Sequence, residues 1–367
     1  MVLMESLARR SILNLNKYVQ GTTFEQVKKQ YNLDNITKLS SNENPHGPSE
    51  RAFKAIEEHS KNVSVYPDGS YQDLKERLSK LNNLDVNNIV LGNGSDELIK
   101  LLLAAFLNPG EKVITADITF SVYKHACTMM DGEIVKVPLK NFTHDLNGIL
   151  DAITPNTKMI FICNPNNPTG TIVTHEQVQS FLDKLPSEVI VVFDEAYCEY
   201  VSSPNFPNTL EFIRQGYPVV SLRTFSKLYG LAGLRVGYGF APKEVVDIIE
   251  KVRVPFNVNL IGYKAALASL DDTFHTKFSI KENNNGKVYL KNELEKLGLE
   301  VEPTEANFLL INVKGDDLKV TEELIKRGVI VRSGSHLGIK GYIRVTIGRR
   351  EDNERLVEAL SKINFQF

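Results

Sequence analysis

A lysine in a loop of small and hydroxyl residues is the first candidate for covalent chemistry. Lys227 lies in SLRTFSKLYGLAGLRVGYG, just after an apolar run that is typical of a buried strand. Ser226 precedes it and Arg235 follows it, and both side chains could bind a phosphate beside a lysine adduct. A lone lysine is more often a surface residue, and short motifs have many false positives. The segment by itself therefore indicates only a nucleophile beside an anion site.

A carboxylate at the end of another apolar run is the second candidate. Asp194 ends the run in VIVVFDEAYCEY, and Tyr197 follows three residues later. Burying a carboxylate is costly unless a cation meets it. A protonated pyridine nitrogen would be such a cation, and the carboxylate would keep the ring an electron sink. The alternatives are a helix N-cap or half of an ordinary ion pair, and Glu195 and Glu199 are predicted to be solvated or structural.

A glycine turn that opens a helix is the third candidate. In LGNGSDELIK, Gly94 permits close backbone approach, and Ser95 and Asp96 begin a helix whose free amides can receive a phosphate. An ordinary strand–helix turn would look the same. The spacing is not GxGxxG, which disfavours a dinucleotide site and a nicotinamide-dependent dehydrogenase.

A turn with two Asn-Pro pairs is the fourth candidate. In ICNPNNPTGT both prolines disfavour helix for the residue before them, so the turn can aim the Asn167 amide into a site. Plain turn chemistry would also account for these residues.

The elements around these segments predict an α/β fold. Apolar runs alternate with amphipathic helical stretches through the middle of the chain, which favours a mostly parallel sheet flanked by helices. Ligands of such sheets bind beyond the carboxyl ends of the strands, where the four segments lie. The predicted strands are Asn88–Leu91, Lys112–Thr115, Glu133–Val137, Lys158–Cys163, Val189–Phe193, Val219–Leu222 and Val236–Phe240.

The last hundred residues predict a smaller α+β domain. A long polar helix over Asp272–Leu297, interrupted at Asn283–Gly286, precedes strands Phe308–Val313, Val329–Arg332 and Tyr342–Ile347. We therefore predict a large domain over 46–262 and a small domain formed by 1–45 together with 263–367.

Composition limits the partners and the compartment. Lys and Arg number 43 against 45 Asp and Glu, so the net charge of −2 disfavours binding to nucleic acid or to an anionic membrane. The cysteines Cys127, Cys163 and Cys198 form no CxxC and predict reduced thiols in a cytoplasmic protein. No apolar run approaches the length of a membrane span, and the seven histidines show no pairing typical of metal ligands.

Taken together, the four segments resemble those of the fold-type I pyridoxal-phosphate aminotransferases over nearly the whole chain. The resemblance implies that Lys227, after the Ser of TFSK, carries pyridoxal 5'-phosphate as a Schiff base. Asp194 of DEAY would pair with the pyridinium nitrogen. Tyr197 of the same segment and Asn167 of NNPTG would contact the phenolic oxygen of the cofactor.

The same resemblance implies the remaining cofactor contacts and a partner subunit. Phe120 of ITFSVY would stack on the cofactor ring. Tyr66 of VYPDGSY would reach the phosphate from the neighbouring subunit, which implies a homodimer with shared active sites. The residues that would hold the phosphate within one chain are Gly94, Ser95, Asp96, Ser226 and Arg235.

Within this family the chain most resembles the histidinol-phosphate aminotransferases, through KLSSNENPHGPS, YPDGSY, GNGSDE and VIVRSG…GYIRVTIG. One departure is His46, a substitution that we interpret as tolerated in a loop. Substrate contacts implied by the resemblance include Tyr18 and Asn42. Arg344 resembles the general anion-binding arginine, and Arg332 is the extra cation expected for a phosphate. Either arginine could instead form an ordinary ion pair.

The resemblance implies ping-pong amino transfer between histidinol phosphate and 2-oxoglutarate, with small-molecule substrates alone. Other activities stay open. The cofactor residues would equally suit an aminotransferase for aromatic or other amino acids, a threonine-phosphate decarboxylase or a carbon–sulfur lyase. A non-catalytic sensor of the cofactor is disfavoured because the chain has no extra DNA-binding segment.

Overall fold

The computed structural model describes residues 7–13, 15 and 23–365. Its strands are β1 Thr37–Lys38, β2 Ile89–Gly92, β3 Lys112–Ala116, β4 Glu133–Val137, β5 Thr157–Cys163, β6 Ile190–Asp194, β7 Val219–Thr224, β8 Gly237–Phe240, β9 Glu300–Val301, β10 Phe308–Asn312, β11 Val329–Ile330, β12 Arg332–Ser333 and β13 Tyr342–Thr346. Its helices are α1 Arg10–Leu13, α2 Phe24–Tyr31, α3 Glu50–His59, α4 Gln72–Asn82, α5 Ser95–Phe106, α6 Val122–Met129, α7 Leu146–Asp151, α8 His175–Leu182, α9 Thr209–Arg214, α10 Lys243–Val252, α11 Leu260–Leu270, α12 Thr273–Lys296, α13 Asp317–Lys326 and α14 Arg350–Ser361.

The main sheet is mixed and mostly parallel. In the part of the chain that the structure describes, it has seven strands in the order β2-β8-β7-β6-β5-β3-β4. Only β8 runs antiparallel, to β2 on one side and β7 on the other. Residues 163 and 194 are aligned across β5 and β6, and residues 194 and 222 across β6 and β7. The carboxyl ends of three neighbouring strands therefore meet at one edge.

Helices cover both faces of this sheet, as its continuous apolar strands predict. One face packs against α5, α6 and α10 through buried residues such as Leu98 and Leu102. The other face packs against α4, α8, α9 and α11, with Phe181, Phe212 and Tyr263 in the shared core. A mostly parallel sheet with helices on both faces confirms the predicted α/β class.

The C-terminal part forms a second, antiparallel sheet. Its strand order within the described residues is β12-β13-β10-β9, and α12, α13 and α14 pack on it around one apolar cluster. A short parallel pair joins β1 to β11, so residues near the N-terminus meet this sheet. Helix α1 instead lies against α6, and Arg9 forms an ion pair with Asp131 at 2.8 Å. The division at 46–262 stays a prediction.

Helix α12 corrects one detail of the sequence interpretation. The predicted interruption at Asn283–Gly286 is wrong, because the helix runs unbroken from Thr273 to Lys296. Asn283 is buried, and a Cβ on Gly286 would collide with the Ile347 side chain. The polar and small residues therefore let the helix approach its neighbours closely, and packing overrides their low helix propensity. Among the described helices, none is long and apolar enough to cross a membrane.

Candidate active site

A buried carboxylate lies at the centre of the strand-end cluster. Asp194 ends β6, is 2% exposed, and accepts a hydrogen bond from the Tyr123 hydroxyl at 2.7 Å. Burial raises its pKa to about 6, although the Tyr123 hydrogen bond favours the ionised form. Within the described residues no lysine or arginine forms an ion pair with it. A buried acid without a cation suits a positively charged ligand.

A hydroxyl with two amide donors lies beside this acid. Tyr197 is buried, and its oxygen accepts hydrogen bonds from the Asn42 amide at 3.1 Å and the Asn167 amide at 3.3 Å. Burial raises the pKa of Tyr197, so the phenol stays protonated. The proton of this phenol can be donated to a ligand oxygen, as can the Asn167 amide. The doubled Asn-Pro turn therefore does aim Asn167 into the cluster.

Lys227 lies beside Tyr197 in the loop after β7. Its ammonium nitrogen donates to the Ser41 carbonyl at 3.1 Å and lies 5.7 Å from the centre of the Tyr197 ring. Burial, together with the positive charge of Arg344, lowers its pKa to about 8. A lysine with this pKa has a substantial neutral fraction near physiological pH. It can attack a carbonyl carbon and exchange a proton.

A candidate anion site lies where β2, α5 and the lysine loop meet. Arg235 donates to the Ser226 hydroxyl and to the Asp96 carboxylate, each at 3.3 Å. Ser95 and Asp96 lie in the first turn of α5, a 12-residue helix whose first amides have no acceptor inside the helix. Gly94 has φ +81°, and a Cβ there would collide with the Arg235 guanidinium. The five residues predicted to hold a phosphate are thus brought together.

Two arginines of the second sheet are cross-strand neighbours, and one of them contacts the cluster. Arg344 donates to the Asn167 side chain and to the Ser40 carbonyl, each at 2.6 Å. Arg332 lies directly across the β12–β13 pair from it, so both side chains are on one face of the sheet. Like charges in this position repel, and a multivalent anion between them would relieve the repulsion.

The cluster fits the cofactor that the sequence resemblance implies. A carboxylate buried without a cation suits a protonated ring nitrogen, and the α5 turn with Arg235 suits a phosphate. Lys227 has a lowered pKa, which suits an amine that forms an adduct with the cofactor's carbonyl group.

Comparison with known proteins now identifies the family. The model of aminotransferase class I and II matches residues 34–360. The chain is 46% identical to a histidinol-phosphate aminotransferase of Moorella thermoacetica, over 97% of this chain and 92% of the relative. The chain belongs to the class I and II aminotransferases.

Two further comparisons agree with this family. The aminotransferase is 42% identical to a histidinol-phosphate aminotransferase of Halalkalibacterium halodurans, over 96% of this chain and 95% of the relative. A crystal structure of histidinol-phosphate aminotransferase from Sinorhizobium meliloti, in complex with pyridoxal-5'-phosphate, superposes with a TM-score of 0.89 at 26% identity, covering 97% of each chain. The predicted fold-type I fold and family are therefore confirmed.

Three residues that were predicted to belong to the site of the aminotransferase are not within this cluster. Phe120 is half-buried and contacts the Tyr123 ring edge to face, with the ring centres 5.6 Å apart. Tyr66 is 78% exposed and stacks on Phe256, so one chain alone does not bring it to the cluster. Tyr18 lies outside the described residues.

Two residues of the site, Tyr123 and Thr346, were not predicted from the sequence. Tyr123 follows Phe120 by three residues, a helical spacing that could have pointed to it. Thr346 lies two residues after Arg344 on β13, and its hydroxyl accepts a hydrogen bond from the backbone N–H of Asn42 at 2.9 Å. Glu195, which was predicted to be solvated or structural, is fully buried.

The buried Glu195 has a structural role. It accepts from the Arg223 guanidinium at 2.9 Å, from the Ser221 hydroxyl at 2.7 Å and from the Thr209 hydroxyl at 2.8 Å. The carboxylate is therefore paired and hydrogen-bonded on both oxygens, which is how a buried charge is retained.

Proposed function

We propose that this aminotransferase uses pyridoxal 5'-phosphate to exchange an amino group between L-histidinol phosphate and 2-oxoglutarate, yielding imidazole-acetol phosphate and glutamate. The observation that carries the substrate assignment is the opposed pair Arg332 and Arg344. A phosphate monoester is a dianion with three acceptor oxygens, and two guanidiniums on one face suit it. The names of the relatives support the same assignment.

The chain's residues would hold the cofactor at both ends. The α5 turn, Ser226 and Arg235 would bind its phosphate, and the Asp194 carboxylate would keep its ring nitrogen protonated. Tyr197 and Asn167 would donate hydrogen bonds to its phenolic oxygen. When bound, pyridoxal phosphate supplies an electron sink that stabilises negative charge on the substrate carbon.

Lys227 would act twice in each half-reaction. Its neutral amine would hold the cofactor covalently, with loss of water, until the amine of the substrate takes its place. The freed lysine is then the general base that removes the proton from the substrate carbon bearing nitrogen. A pKa of about 8 is near the operating pH, so the same amine can both accept and return this proton.

The two substrates would share one anion site. Glutamate presents a carboxylate, whereas histidinol phosphate presents a phosphate and no carboxylate. Arg344 is held by Asn167 and the Ser40 carbonyl and would serve both anions. Arg332 would add the second positive charge that the phosphate dianion requires. The two cations together make the phosphate the stronger ligand.

The proposal extends to assembly and location. The exposed Tyr66 would contact the cofactor phosphate of a second subunit, which requires a homodimer. Sedimentation of the purified protein would test the dimer, and a monomer with full activity would contradict it. A cytoplasmic location stays a prediction, in keeping with Cys127, Cys163 and Cys198, all of which are free thiols.

The decisive experiment follows the absorbance of the bound cofactor through one half-reaction. Histidinol phosphate should convert the cofactor to its amine form, and 2-oxoglutarate should reverse the change. Conversion only by phenylalanine would keep the amino transfer and replace the substrate. Carbon dioxide or pyruvate released without an amino acceptor would mean a decarboxylase or a lyase. Lys227→Ala should bind the cofactor without the covalent bond, and normal turnover by this variant would refute the role of the lysine.

A further inference from the structure

The loop between β12 and β13 is tied to one buried carboxylate. Asp317 is the first residue of α13 and is 3% exposed. It accepts from the Ser333 hydroxyl at 2.6 Å, the Ser335 amide and hydroxyl, each at 2.8 Å, and the Gly341 amide at 2.9 Å. All of these donors lie on the segment from β12 to the start of β13. One side chain thus closes the hairpin whose two strands carry Arg332 and Arg344.

This carboxylate is ionised at physiological pH. Burial alone would raise the pKa of Asp317, but the hydrogen bonds from Ser333, Ser335 and Gly341 outweigh it and lower the pKa below its ordinary value. The start of α13 also favours negative charge through the helix dipole. Bonds to an ionised acceptor are stronger than neutral ones, so this one residue holds the loop firmly.

Of the two arginines, Arg332 depends more on this loop. It lies on β12, an edge strand of two residues that pairs with β13 on one side. Immediately before it, β11 pairs with β1 over only two residue positions. The charge of Arg344 directly opposite pushes Arg332 away when no anion lies between them. The Asp317 bonds to the residues that follow Arg332 resist this displacement.

Arg344 is held independently of the loop. Its strand, β13, pairs with β10 over five residue positions. Its guanidinium also donates to Asn167 and to the Ser40 carbonyl. Loosening the β12–β13 loop should therefore displace Arg332 and leave Arg344 in place.

We propose that Asp317 is a positioning residue that holds Arg332 opposite Arg344 and thereby sets the preference of the pocket for a phosphate over a carboxylate. The proposal rests on the proposed function and extends it to a residue that contacts neither cofactor nor substrate. Asp317 acts by holding β12, the strand that carries Arg332, in place.

The first test compares Asp317→Asn with Asp316→Asn in the holoenzyme. Asparagine keeps the shape of Asp317, but its NH2 group cannot accept the hydrogen bonds that one carboxylate oxygen of Asp317 accepts. The KM for histidinol phosphate should rise roughly tenfold with little change in kcat, while the KM for glutamate changes less than about twofold. Asp316 caps the same helix through the Leu318 and Lys319 amides and has no hydrogen bond to the loop. Its variant removes an equal charge and should leave both KM values unchanged.

The second test is a double-mutant cycle with Arg332→Ala. If Asp317 acts through Arg332, Asp317→Asn should have no further effect on the KM for histidinol phosphate once Arg332 is truncated. A full tenfold loss in the Arg332→Ala background would overturn the proposal. So would an equal loss for glutamate and histidinol phosphate, which would indicate general destabilisation of the sheet.

A binding measurement separates this proposal from the substrate assignment. Calorimetric titration of the holoenzyme with inorganic phosphate should show binding weakened roughly tenfold in Asp317→Asn and unchanged in Asp316→Asn. A wild-type enzyme that does not use histidinol phosphate would refute the proposed substrate, and weakened phosphate binding in Asp317→Asn would still support the positioning role. Phosphate binding that is unchanged in Asp317→Asn would overturn that role.

Discussion

Replacing the buried acid by its neutral isostere should stabilise the protein without its cofactor. Burial raises the pKa of Asp194 from 3.8 to about 6 in the folded chain. A difference of about two pH units corresponds to about 3 kcal/mol at the pH where the folded group is ionised. Between these two pKa values the folded state holds a proton that the unfolded state has lost. The free energy of unfolding therefore falls as pH rises through this window, and then stays level above it.

The measurement is urea unfolding of the cofactor-free protein and of Asp194→Asn, from about pH 4 to about pH 8. The variant should gain stability over the wild type as pH rises, by up to about 3 kcal/mol above about pH 6. It should also bind the cofactor poorly, because it cannot supply a negative charge to the ring nitrogen. A stability difference that is flat with pH, or that shrinks as pH rises, would refute the reasoning.

Asp183→Asn provides the opposite control. Asp183 is exposed, and the Tyr217 hydroxyl bonded to it at 2.7 Å lowers its pKa. Its contribution to stability is present above the unfolded pKa and is lost as pH falls through the folded one. As pH rises, Asp183→Asn should therefore lose a little stability relative to the wild type, whereas Asp194→Asn should gain stability.

Three further substitutions test neighbouring contacts. Tyr123→Phe removes a hydrogen bond that favours the ionised form of Asp194. The pH midpoint of cofactor binding, measured by absorbance titration, should therefore rise by about one unit. An unchanged midpoint would contradict the role of the hydroxyl. Glu195→Ala leaves the partly buried Arg223 without its carboxylate partner and should lower the free energy of unfolding by about 3 kcal/mol in denaturant titrations. Gly94→Ala drives a Cβ into the guanidinium of the anion site and should weaken cofactor binding at least roughly tenfold. Gly110→Ala, with the same φ of +81° but nothing near its Cβ, should leave cofactor binding intact.

Sequence patterns predicted the main sheet and the family because each depends on local signals. Strands buried on both faces are continuous apolar runs, and the segments around Lys227, Asp194 and Asn167 are contiguous motifs at strand ends. The fold class and the family were therefore predicted correctly. The roles of the individual residues in these motifs remain predictions, although the structure brings most of them together.

The error in α12 occurred where packing overrides local preference. Residues 283–286 have low helix propensity, yet they lie inside α12 because small and polar side chains suit a close helix contact there. The sequence left Glu195 either solvated or structural, and three donors that are distant in sequence allow it to be buried in a structural role. No local pattern reports partners of this kind.

The sequence by itself determined which chemistry is available: a lysine, an acid at a strand end, a glycine turn and two arginines twelve residues apart. The tertiary structure decided how these groups influence one another. Only the packed chain raises the pKa of Asp194, lowers that of Lys227 and sets Arg332 opposite Arg344. The physical reason is that desolvation and charge interactions depend on distance and burial, which arise when separate segments meet.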